Sequence, residues 1–197
     1  MRDSGILAIR LTLGSYLAVH GAQKLFGTFD GPGLDNAAVM FEQLGLEPGK
    51  PFATLAATSE FVGGILTATG VAWPAGPAAI AGAMAVATSV HWENGPMALN
   101  GGYELPLTDA LVALGLAIAG PGRYRLGPHL PRGLTRLTVF GAAGMSAYCI
   151  SKVMAKKKSP APSAAAPAAA AGSTEPGQVA EEALPYANRT RGAAIGT

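Results

Sequence analysis

The chain has 197 residues, a formal net charge of +2, 49% hydrophobic residues and only 13% charged ones. That charged share is about half the ~25% of an ordinary soluble domain. Mean hydropathy is +0.30 although the end of the chain is polar or built of Ala and Pro, so a soluble core is excluded as the reading and one polytopic membrane domain plus a tail fits. A single cysteine, Cys149, excludes dithiol exchange, cysteine-rich zinc sites and thiolate-held iron–sulfur clusters, all of which need more than one thiol. Between Tyr148 and Ile150 it reads as an apolar packing residue.

Gly5 to Phe26 forms the first apolar stretch, enough to cross ~30 Å of hydrocarbon at 1.5 Å per residue. Its embedded charges and the lack of a small-residue cleavage site mark it as a retained span rather than a signal peptide. Gly27 to Lys50 is a long loop in which Ala37, Ala38, Met40, Phe41 and Leu44 have helical spacing, predicting a short interfacial helix. Pro51 to Trp73 is the second span, interrupted by Glu60, and Pro77 to His91 the third, rich in small residues that let backbones approach. A loop from His91 to Gly102, with Trp92 and Tyr103 as interfacial anchors, leads to a fourth span over about Tyr103 to Ala119.

The apolar segment Leu137 to Ser151 holds only 15 residues between Arg136 and Lys152, about 22 Å of helix and short of a full span. Four crossings with a cytoplasmic N-terminus place Arg2, Arg123, Arg125, Arg132, Arg136 and the four lysines from Lys152 to Lys158 inside, leaving Lys24 and Lys50 outside. A fifth crossing reverses that bias, so the positive-inside rule favours a last helix that lies on or re-enters the cytoplasmic side over a fifth span. The expected fold is therefore all-α: a four-helix membrane bundle over residues 1–126, a basic loop and C-terminal apolar helix over 127–158, and an Ala/Pro-rich disordered tail over 159–197. Lys156 to Lys158 read as an anionic-lipid or topology signal; no aromatic interleaving suggests nucleic acid. The sequon at Asn188 is a match of a kind that arises by chance.

Ionisable groups in a bilayer cost about 2.5 to 3.5 kcal/mol near its centre and by default mark function. The spans contain Arg10, His20 and Lys24, then Glu60, then His91, then Glu104 and Asp109. At about 100° per residue Lys24 lies roughly 40° and His20 roughly 80° from Arg10 around the first helix. All but Arg10 fall in the half of the membrane opposite the N-terminus, or approach it, whereas Glu104 and Asp109 stand about 140° apart. Two readings stand side by side: mutual ion pairs that fix helix order, or a site for a small polar or redox-active ligand such as a quinone head group, with His20, His91 or Glu60 relaying protons. Ion conduction is a third. Haem ligation by two histidines lacks a second His pair and an attachment signature, no metal site is read, and no P-loop, dinucleotide motif or nucleophile elbow is present.

Five motifs in order on these spans resemble the DoxX family. They are Arg10-Leu11 with Gly14; His20-Gly21 with Lys24-Leu25-Phe26-Gly27; Glu60-Phe61-Val62-Gly63-Gly64; His91 with Asn100-Gly101-Gly102-Tyr103-Glu104-Leu105-Pro106-Leu107; and Gly120-Pro121-Gly122-Arg123-Tyr124. The likeness runs from about Ile6 to Leu126. It implies a four-helix protein of the bacterial plasma membrane whose relatives are linked to thiosulfate:quinone oxidoreduction, quinone detoxification and, in mycobacteria, a membrane oxidoreductase complex joining a sulfurtransferase and a superoxide dismutase. The family's recurrent polar positions fall on Arg10, His20, Lys24, Glu60, His91 and Glu104. The resulting expectation is a plasma-membrane subunit of an oxidoreductase system that binds a quinone-like or sulfur-containing molecule and works with partner redox proteins. A bound quinone is the candidate cofactor, since the chain shows no redox centre of its own. The alternative is a non-catalytic membrane scaffold whose cytoplasmic tail recruits soluble enzymes.

Overall fold

A computed structural model describes residues 1–159, and over them the chain is helical, with one isolated bridge between Trp73 and His129. The helices are α1 (Arg2–Phe26), α2 (Gly33–Gln43), α3 (Gly49–Thr69), α4 (Ala75–His91), α5 (Glu104–Ala119) and α6 (Arg132–Lys158). The expected tail lies outside the described residues, apart from Ser159.

Local chemistry sets most of the helix ends. Pro51, Pro77 and Pro106 sit in the first turns of α3, α4 and α5, where a missing N–H costs nothing. Gly27 and Gly70 close α1 and α3 in the left-handed region, at φ 69° and 73°, their N–H groups donating back to the Gln23 and Leu66 carbonyls. α6 starts after Pro131 and stops at extended Ser159, which precedes a proline in the sequence.

α1 and α3 run antiparallel along a seam of small residues. A Cβ on Gly14 would stand 2.6 Å from the Ala68 backbone nitrogen, and one on Gly64 would be 2.6 Å from the Ala18 nitrogen, so the two backbones touch without side chains between them. α4 returns beside α3, α5 beside α4, and Leu13, Leu17, Ile80, Met84, Ala113 and Leu116 fill the space they share. α2 is a short helix at the start of α3, packed through Ala37, Ala38 and Ala53, as the spacing in that loop predicts.

The segment read as a short helix on one side behaves differently. α6 has 27 residues, about 40 Å, because it takes in the charged residues on both flanks of the apolar stretch. It lies parallel to α4: the bridge from His129 to Trp73 ties the approach to α6 near the start of α4, and Lys157 Nζ donates to the Ser89 and Val90 carbonyls near its end, each at 3.1 Å. A helix lying across one end of the bundle makes neither set of contacts. Arg136 and Lys152 therefore sit within a helix that continues a turn or more beyond each of them.

Two helices, Arg2–Phe26 and Arg132–Lys158, are long and apolar enough to cross a membrane by length and composition. α4 and α5 have 17 and 16 residues, at or just under the short end of the ~17–25 range for a span. The outer surface is apolar around the bundle: Ile9, Val62, Leu111, Ile118, Leu137 and Phe140 are all exposed. A water-soluble fold does not leave so continuous a belt unpaired with charge, and the protein has membrane character.

Candidate functional site

The helices leave one large cavity, of about 770 Å³, lined by residues of all six. Its polar groups are set by helical spacing. Tyr16, His20 and Lys24 follow one another at i, i+4 and i+8 on α1, so they form a single stripe that faces the cavity. Glu60 enters from α3, Asp109 from α5 and His91 from the end of α4.

Lys24 Nζ donates to Glu60 Oε2 and forms an ion pair with it. The Glu60 side chain is 6% exposed and that of Lys24 28%, so a carboxylate is held almost out of solvent with a cation over its open side. This is the arrangement in which a buried charge is tolerated. The Tyr16 ring meets the His20 ring edge-on, with centroids 4.5 Å apart and an interplanar angle of 78°, which fixes the imidazole plane. Tyr16 and Asp109 also line a second, smaller cleft between α1 and α5, so these two side chains form the wall that separates the cavity from that flank.

His91 stands at the edge. Its Nδ1 bonds to the Gly101 carbonyl at 2.8 Å, and the Asn94 amide donates to the same oxygen at 3.0 Å. The carbonyl can only accept, so Nδ1 carries the proton.

Two of the residues expected at the site lie elsewhere. Arg10, 0% exposed, shares the face of α1 that meets α3 but sits near its other end. There Nε donates to the Thr67 carbonyl at 2.9 Å, Nη2 to Ala68 at 2.8 Å, and Nη1 to Pro121 and Tyr124 at 2.6 and 2.7 Å. These oxygens belong to the last turn of α3, where carbonyls lack helical partners and attract a cation, and to the loop after α5. Arg10 latches three pieces of chain together and does not reach Glu60. Glu104 is exposed and accepts the Ala98 N–H at 2.9 Å, closing the loop after His91. Trp92 and Tyr103, expected as interfacial anchors, stack on each other across that loop at 4.5 Å. The 140° between Glu104 and Asp109 thus separates a loop clasp from a cavity residue.

Sequence reasoning passed over Tyr16 and the α6 wall. Tyr16 lies four residues before His20, a spacing that signals its presence on the stripe; nothing in the sequence tells that Gly141 to Cys149 would face the same cavity.

A helical membrane protein with a polar cluster set into a mainly apolar cleft among its helices is the class that fold and site define. Within that class, the sequence model of the DoxX family matches residues 5–92, somewhat under half of the chain, which is consistent with a DoxX family protein. The matched residues run from α1 to the end of α4 and contain Arg10, His20, Lys24, Glu60 and His91; Glu104, Asp109 and α6 lie beyond them. No curated protein and no solved structure matches the chain.

Proposed function

We propose that this protein is a multi-pass subunit of an oxidoreductase system in the bacterial plasma membrane, with α1, α3, α4, α5 and α6 crossing in alternation. In this reading its cavity binds a quinone-like or sulfur-containing small molecule that is shared with partner redox proteins. The observation that carries it is the cavity itself: His20 and Lys24 of α1, Glu60 of α3 and Asp109 of α5 converge on a volume whose remaining lining is mainly apolar. Ion pairing alone would fix helix order without leaving about 770 Å³ beside the pair.

The residues fit a quinone. The flat ring needs apolar walls, and its carbonyl oxygens need donors, which Lys24 Nζ, the Tyr16 hydroxyl and His20 supply on one stripe. When bound, such a molecule supplies two-electron carrier chemistry that the side chains do not. The protein's part is to orient the carbonyls, to hold a proton at His20 or at the Asp109 carboxyl beside them, and to keep water out with the surrounding Leu, Ala and Met side chains.

The test is binding of a dimethylnaphthoquinone to the full chain in nanodiscs. His20→Ala and Asp109→Asn are each expected to weaken it about 10-fold or more, the scale on which losing one hydrogen bond to a charged or buried group reads. Binding unchanged in both variants would overturn the proposal. Proteins that co-purify with the wild type in mild detergent identify the redox partners.

A further inference from the structure

We infer that the cavity takes a two-part molecule: a compact polar head against the α1 and α5 wall, and a long apolar chain laid along α6. The inference rests on the proposed binding of a quinone-like head and names the class of that ligand as lipid-tailed.

The cavity walls divide by element. α1 and α5 contribute Tyr16, His20, Lys24 and Asp109, joined by Glu60 and Ser59 of α3, Gln43 of α2 and His91 of α4, whereas α6 contributes Gly141, Ala142, Met145, Ser146 and Cys149. Those five positions, at i, i+1, i+4, i+5 and i+8, form one stripe about 12 Å long. Its only hydroxyl is already used: Ser146 Oγ donates to the Ala142 carbonyl at 2.7 Å. The α6 wall therefore offers a ligand no free N–H or O–H donor, and facing it are Phe52 and Leu55 of α3 and Phe41 of α2.

Size points the same way. A volume of about 770 Å³ belongs to pockets that enclose a whole drug-sized ligand, and a single ring held at His20 and Asp109 leaves the α6 side unfilled. Water gains nothing there, because a wall without polar partners does not hold it. Referred to ligand free in water, an apolar chain gains a few-fold in affinity for each methylene it buries.

The floor and a point of control are both visible. A Cβ on Gly82 of α4 would stand 2.7 Å from Ser146 Oγ, so α4 and α6 touch there and close the arm. Gly141 lines the cavity, and a Cβ on it meets nothing within 4 Å, so a larger side chain at that position is accepted without displacing the fold. The α6 wall lies beyond residues 5–92, whereas Phe41, Phe52, Leu55 and Gly82 lie within them.

The experiment compares 2,3-dimethyl-1,4-naphthoquinone with the homologue in which one methyl is replaced by decyl; C2 and C3 are substituted in both compounds, so neither adds to a thiol there. Binding to the full chain in nanodiscs is measured against empty nanodiscs, together with the rate at which N-ethylmaleimide alkylates Cys149, the chain's single thiol. Referred to free aqueous ligand, with partitioning into empty nanodiscs subtracted, the wild type is expected to bind the decyl homologue about 30-fold or more tighter than the dimethyl compound. Gly141→Leu is expected to remove most of that advantage while leaving the dimethyl affinity within about twofold. Decyl homologue and decanol should both slow alkylation of Cys149, and the dimethyl compound should not. Equal affinities in the wild type, equal losses for both compounds in Gly141→Leu, or Cys149 alkylation indifferent to both chain-bearing probes would overturn the inference. If neither quinone binds but decanol protects Cys149 in the wild type and not in Gly141→Leu, the head-group reading fails and the apolar arm stands.

Discussion

Arg10 and Lys24 lie on the same side of α1, and their partners decide what each does. All three nitrogens of Arg10 bond to backbone carbonyls, and its guanidinium also stands 5.9 Å from the Trp73 ring centroid. Arg10→Met is expected to cost about 3 kcal/mol or more, since it strips partners from carbonyls at the end of α3 and in the loop after α5. Arg10→Lys should recover only part, because one ammonium cannot serve four acceptors spread along a planar fork. Thermal unfolding in detergent reads both, with quinone affinity of the folded fraction unchanged. Lys24 behaves oppositely. Lys24→Met leaves the Glu60 carboxylate buried and alone, at about 2–3 kcal/mol, somewhat under a fully buried pair because the lysine keeps some solvent contact. The double variant Lys24→Met with Glu60→Leu should regain most of that stability, since an apolar pair of similar volume has no charge to desolvate, yet still fail to bind quinone. A double variant that remains as unstable as the single one would mean the pair is structural first.

At the scale of the helix, the α1–α3 seam owes its closeness to glycines. A Cβ on Gly21 would run into the backbone nitrogen of Phe61, which cannot move without shifting α3. Gly21→Ala is expected to cost about 1–3 kcal/mol by overpacking. Gly115 of α5 has nothing within 4 Å of its missing Cβ, so Gly115→Ala should be neutral or stabilise by up to about 1 kcal/mol through helix propensity. Unfolding midpoints of the two variants, moving in opposite directions or one unmoved, check the pair; an equal fall in both would show that the seam is not where the backbones meet. α6 is held differently. Leu46, Cys149 and Val153 form a small buried cluster with Phe41, Phe52, Val86 and Val90 around it, and Lys152 lies about 6 Å from the rings of Phe52 and Tyr148. Cys149 is thus both a packing residue, as its apolar neighbours in sequence indicate, and part of the cavity wall.

Among the described residues the basic side chains near the helix ends sort by type. Arg2, Arg123, Arg125, Arg132 and Arg136 gather where α1 and α6 begin, while Lys24, Lys50 and the four lysines from Lys152 to Lys158 gather at the opposite end. Once α6 runs the length of α4, the tally of loop and end charges is nearly balanced, and the positive-inside bias that argues for four crossings is gone. The five crossings proposed above predict that reporters placed before Arg2 and after Ser159 lie on opposite faces of the membrane. Paired fusions or impermeant thiol labelling at engineered cysteines measure this; both termini on one face would return the chain to four crossings.

The sequence by itself determined the membrane character, the helices and most of their ends, because these follow from composition, from proline in first turns and from glycine in left-handed caps, all local properties. It also put His20 and Lys24 on one stripe, since spacing along a helix fixes angle. Only the tertiary structure decided that Arg10 serves carbonyls rather than Glu60, that Glu104 clasps a loop while Asp109 faces the cavity, and that α6 stands alongside α4. Those outcomes depend on which carbonyls and which helix faces meet across 57 to 114 residues of chain, and a pattern of single residues carries no record of its distant partner. The physical difference is between constraints a helix satisfies within its own turns and hydrogen bonds or packing that exist only after separate helices have come together.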